Sequence, residues 1–158
     1  MVPPSSDPDP RLILSDDGLD AALEVFLLAQ AALWSAADAG LEGEPSGLGR
    51  GHWRAALLMK RRPGLGVLAL ARLTGLSKQG ASRILRDLED AGFATRPPGE
   101  EDARRRPAVL TDAGRAFEAR GSERARAHLA SAYRAAGLDA VVAARRVLAA
   151  MAGKELGR

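Results

Sequence analysis

The sequence predicts a mostly α-helical protein with one small β-hairpin. Three observations lead there. Apolar residues recur at three- and four-residue spacing along most of the 158 residues, the pattern turns strand-like only near 93–96 and 106–110, and glycines or prolines mark the changes. The length suits one domain with a proper core, and 46% hydrophobic with 27% charged residues describes a chain that folds.

The segment Met1 to Pro10 holds four prolines and no periodicity, so the first 15 residues are expected to form a disordered, acidic tail. From about Asp16, the residues Leu19, Leu23, Phe26, Leu27, Gln30, Leu33 and Trp34 fall at helical spacing and predict a long helix ending near Gly40. Leu41 to Gly51, with four glycines and a proline, reads as a loop. Its Gly47-Leu48-Gly49-Arg50-Gly51 is no dinucleotide fingerprint, because no strand precedes it and the spacing is wrong. A second helix, about His52 to Arg62, stops before Pro63-Gly64.

Val67 to Thr74, a Gly75-Leu76-Ser77 turn and Ser77 to Ala91 then predict two short helices in succession. In the second, Ala81, Ile84, Leu85 and Leu88 form the buried face, while Lys78, Gln79, Ser82, Arg83 and Arg86 lie opposite. Ser77 suits the N-cap, and Gly92 ends the helix. Phe93 to Arg96 and Arg106 to Leu110 can pair as a hairpin, with Arg104, Arg105 and Arg106 at or beside its tip. Thr111 caps a long helix to about Ala136, and after Gly137 a last helix, Leu138 to Ala152, presents Leu138, Val141, Val142, Leu148 and Met151.

The formal net charge of +3 conceals an asymmetry: residues 1–49 sum to −8 and residues 50–158 to +11. A basic body suits a polyanion, and 19 of its 22 bases are arginine, which matches phosphate and guanine geometry better than lysine. A short helix pair whose second helix is polar and basic outside meets the demands of major-groove reading. Its N-terminal side chains reach base edges: Gln79 suits adenine, Lys78 or Arg83 suits guanine, and Ser77, Ser82 and Arg86 suit bases or phosphates. Arginines on the hairpin that follows suit a narrow minor groove, so the hairpin reads as a wing.

Other chemistry finds little support. The absence of cysteine excludes disulfides, thiolate zinc sites and thiol redox switches. His52 and His128 are the only histidines, no metal-ligand spacing occurs, and no nucleophile, base and orienting group can be assembled, so neither an enzyme nor a metal or cofactor site is expected. No apolar run approaches the roughly 20 residues of a membrane span, and Met1 to Pro10 lacks a signal peptide's pattern. The expectation is a soluble, cytoplasmic protein.

The run Leu76 to Phe93, then Arg96, Asp102-Ala103-Arg104 and Leu110-Thr111-Asp112-Ala113-Gly114, resembles the MarR family of bacterial transcription regulators. The resemblance covers about residues 52–120 and implies a winged helix-turn-helix lobe, 52–114, between dimerisation helices and linker in 16–50 and 115–158, all in a single domain. It implies a homodimer on a pseudo-palindromic duplex operator. Its wing arginine carries over to Arg104, held by Asp102, with Arg105 beside it. Its recognition-helix contacts carry over to Ser77, Lys78, Gln79, Ser82 and Arg83. Gly80 and Ala81 depart from the pattern, the first losing a phosphate contact and about 1 kcal/mol of helix propensity, the second implying looser packing. The family's small aromatic effectors would bind between the dimerisation helices and the lobe, where Trp34, His52, Trp53 and Arg54 are the candidate lining. The reading from another class is a winged-helix protein that binds DNA architecturally, without sequence preference.

Overall fold

A computed structural model describes residues 10–98 and 106–153. Seven helices and a two-stranded sheet occur among them, in the order α1 (Pro10–Ile13), α2 (Asp16–Gly40), α3 (Arg50–Arg61), α4 (Val67–Thr74), α5 (Lys78–Asp90), β1 (Ala94–Thr95), β2 (Val109–Leu110), α6 (Asp112–Ala136) and α7 (Leu138–Ala152). The expected mostly helical fold with one hairpin is therefore what forms. Its strands are shorter than expected. They pair antiparallel with Ala94 opposite Leu110 and Thr95 opposite Val109.

Local chemistry explains most boundaries. Ser15, Ser77 and Thr111 each accept a hydrogen bond from the amide three residues on, at 3.0–3.1 Å, which satisfies one orphan donor at each helix start. Gly75 ends α4 in the left-handed conformation, φ 71°, which a side chain would resist and which turns the chain sharply into α5.

Two expectations require correction. The 1–15 tail contains a helical turn at Pro10–Ile13, because proline is tolerated at a first helical position, where its missing N–H would have had no intrahelical partner. α2 is also long and apolar enough, by length and composition alone, to cross a membrane, since Glu24 is the only charged residue between Ala21 and Ala37. In this fold α2 packs along α6.

The core lies where α3, α4, α5 and α6 meet. Phe117, Leu70 and Leu88 are fully buried there, with Trp53, Met59 and Leu85 around them. Ala81 is also fully buried. Gly114 is demanded by contact: a Cβ there would overlap the Phe93 carbonyl oxygen, which accepts from the Thr111 amide at 3.0 Å. The Thr111 hydroxyl donates to the Gly92 carbonyl at 2.7 Å. The start of α6 is thereby fixed against the end of α5.

Candidate nucleic-acid interface and effector site

α5 presents a capped N-terminus to solvent. Lys78, Gln79, Arg83 and Arg86 are exposed on it, and Ser82 is half-buried. Ser77 is exposed but its Oγ is engaged by the Gly80 amide at 3.0 Å, leaving its hydroxyl hydrogen for a ligand. Gly80 belongs to this cap, since a Cβ would sit 3.3 Å from the same Oγ.

The hairpin root is tied to α5 through charge. Arg96 Nε lies 2.7 Å from the Glu89 carboxylate, and its Nη1 donates to the Arg106 carbonyl at 2.5 Å. Arg106 in turn donates to the Pro98 carbonyl at 2.8 Å. A cavity of about 400 Å³ sits under this junction, lined by Val67, Ser82, Leu85, Arg86, Glu89, Arg96 and Arg106 among others. Asp102, Arg104 and Arg105, expected at the wing tip, lie outside the described residues.

The four candidate effector residues divide into three environments. Trp53 is core: its indole N–H donates to Ser122 Oγ at 3.0 Å, and a Cβ on Gly121 would come within 2.5 Å of its ring. Ser122 donates to the fully buried Glu118 carboxylate, whose other oxygen receives Lys60 at 2.6 Å. That relay rivets α3 to α6. His52 serves the helix start, with Nδ1 accepting from the Gly49 amide at 3.4 Å and Nε2 at 3.0 Å from Asp87 on α5.

Trp34 and Arg54 do come together. The Arg54 guanidinium lies 5.5 Å from the Trp34 ring centroid and donates to the Thr74 carbonyl at 3.1 Å. Arg50, absent from the expected set, lies 4.7 Å from the same ring and 3.6 Å from Asp38. The sequence carried a signal for it, because Arg50 and Arg54 stand four apart on one helix and so share a face. Two cations gathered on one indole can hold a planar anion by stacking and paired hydrogen bonds. None of the four expected residues lines the 400 Å³ cavity or the open groove of about 990 Å³ bounded by Leu48, Asp87, Phe93, Ala116 and Arg120. Among the described residues no three His, Cys, Asp or Glu side chains are grouped to hold a metal ion.

The profile described as "MarR family" matches residues 46–105. The HTH-type transcriptional regulator PetP of Rhodobacter capsulatus is 37% identical over 140 residues, covering 89% of this chain and 83% of that protein. Two crystal structures of the Mycobacterium tuberculosis MarR family protein Rv2887 are similar. One, a complex with salicylic acid, superposes with a TM-score of 0.61 at 29% identity over 80% of this chain and 93% of that one. The other, a complex with DNA, gives 0.56 at 30% identity over 84% and 96%.

Proposed function

Because the chain belongs to the MarR family of transcriptional regulators, we propose that it acts as a homodimer that reads a pseudo-palindromic duplex operator and responds to a small aromatic acid. The observation that carries the reading is the exposed N-terminal half of α5, with Lys78, Gln79 and Arg83 beside a hairpin anchored to the same helix. Helix and wing would address the major and minor grooves together. The assignments are Gln79, Lys78, Arg83 and Ser77 to base edges or adjacent phosphates, Ser82 and Arg86 to the backbone, and Arg104 and Arg105 to the wing contact with Asp102 as support.

Residues 16–50 and 115–158 would carry the dimer interface and 52–114 the DNA-reading lobe. α7 buries no side chain within its own chain, and Leu138 is 77% and Met151 64% exposed. On α2, Leu23, Val25, Leu27 and Leu28 are exposed as well. A second copy would cover both surfaces. The acidic N-terminal segment would keep that end of the dimer away from phosphates. The chain would work in the cytoplasm as a soluble protein, without catalysis or cofactor.

The effector site would be Trp34 with Arg50 and Arg54. Rv2887 in complex with salicylic acid is a precedent for such a ligand. His52 and Trp53, in this reading, support the site without touching its ligand. Binding to duplexes that differ at single positions tests the assignment. Gln79→Ala and Arg83→Ala should change which base is preferred at one position, each lowering discrimination by roughly 1–3 kcal/mol. A uniform loss on all duplexes, with a shallower salt dependence and no change in preference, would favour architectural binding.

A further inference from the structure

The end of α4 is served unequally. Within the turn, the Leu70 carbonyl accepts from the Thr74 hydroxyl at 2.6 Å and the Ala71 carbonyl from the Leu76 amide at 3.0 Å. The Thr74 carbonyl is served from another helix, by Arg54 Nη2 at 3.1 Å. Three residues after Thr74 stands Ser77, the cap of α5, followed by Lys78 and Gln79. Whatever holds the Thr74 carbonyl therefore holds the approach to the DNA-facing end of α5.

The same guanidinium lies against Trp34 of α2, next to Arg50. Arg54 thus touches an α2 side chain on one side and the helix-turn-helix turn on the other. From this geometry we infer that Arg54 is a positioning residue that transmits the effector signal, an inference that rests on the effector reading above: its guanidinium grips the Thr74 carbonyl when the protein is competent for DNA, and moves to the carboxylate of an aromatic acid stacked on Trp34. A carboxylate outcompetes a neutral carbonyl for a guanidinium because the bond is charge-assisted on both sides. Arg50, at the N-terminal end of α3, adds positive field from its own charge and from the helix's unpaired amides. The exchange leaves the Thr74 carbonyl without its partner, loosens the turn, and lets the start of α5 leave its groove-reading position. No bond is made or broken beyond hydrogen bonds.

The test follows a selected duplex binding to wild-type, Arg54→Gln and Arg54→Lys proteins, with and without salicylate, while calorimetry measures salicylate binding to each protein alone. Arg54→Gln should lose about tenfold in DNA affinity without ligand, the scale of one lost charge-assisted hydrogen bond. It should still bind salicylate, more weakly, through Arg50 and Trp34, yet show no further drop in DNA affinity when salicylate is added. Arg54→Lys, which keeps the charge but offers a point donor, should fall between. In the wild type, salicylate should shift the amide resonance of Gly75, which shares its peptide bond with the Thr74 carbonyl, and this shift should vanish in Arg54→Gln. A purely structural role for Arg54 would not produce that difference. The inference is overturned if Arg54→Gln binds DNA like the wild type and is still released by salicylate, or if salicylate binds without moving Gly75. Calorimetry showing no salicylate binding to the wild type would instead overturn the effector reading itself, and the exchange with it.

Discussion

Gly114 and Ser77 show how single residues set the geometry of the reading head. A methyl group on Gly114 collides with the Phe93 backbone oxygen, and neither α6 nor the end of α5 can yield without breaking the Thr111 bonds to Phe93 and Gly92. Gly114→Ala should therefore cost about 3 kcal/mol in urea unfolding, at the upper end for overpacking. Ser77→Ala removes one cap bond from an exposed helix start and should cost about 1 kcal/mol, with the fold intact. The glycine after Leu-Thr was legible in the sequence as part of a motif. Its reason was not, because a carbonyl approaching from 21 residues away leaves no periodic trace. Arg50 differs: it reads as part of a glycine-rich loop in the sequence, and its four-residue spacing from Arg54 becomes a shared face only because α3 begins at Arg50.

Two of the polar links between elements differ in burial. In the Lys60–Glu118–Ser122–Trp53 relay, the carboxylate is wholly enclosed while the lysine is 44% exposed. Lys60→Met would leave that buried carboxylate with the Ser122 hydroxyl but without its counter-charge, and should destabilise by about 3 kcal/mol, more than Glu118→Gln, as read from unfolding midpoints. The second link joins the loop after α2 to α6. Burial acts to raise the pKa of Glu44, but hydrogen bonds from Arg120 and Ser46, with the charge of Arg120, outweigh it and hold the carboxyl below the usual value. A lowered folded-state pKa contributes stability that is present above the unfolded value and lost as pH falls through the folded one. Between neutral pH and about pH 3 the wild type should thus lose more stability than Glu44→Gln, in parallel urea titrations. Element existence and order were readable from spacing and caps, and α2, α4, α5, α6 and α7 fall where expected. The early helical turn at Pro10–Ile13 and the short strands were not, because one turn or one pair of bridges is fixed by tertiary contacts rather than by period.

At the scale of the molecule, charge is segregated along the chain, −8 over residues 1–49 and +11 over residues 50–158, while α2 and α7 carry most of the exposed large apolar side chains among the described residues. The chain's family was legible in about 70 residues of motif, whereas of the four residues expected to line an effector site only Trp34 and Arg54 lie together, because a tryptophan in the core and a half-buried one carry the same letter. If α7 belongs to a dimer interface, Leu148→Glu should shift the sedimenting species from dimer to monomer and abolish discrimination between one half-site and two, while the lobe itself stays folded. Two recognition helices so coupled would read half-sites about 34–36 Å apart, one turn of duplex. The most direct measurement is selection from random duplex DNA with the full chain at moderate salt, where non-specific phosphate binding is suppressed. The account predicts enrichment of an inverted repeat with half-sites one turn apart; DNA retained at low salt with no sequence enriched would contradict it.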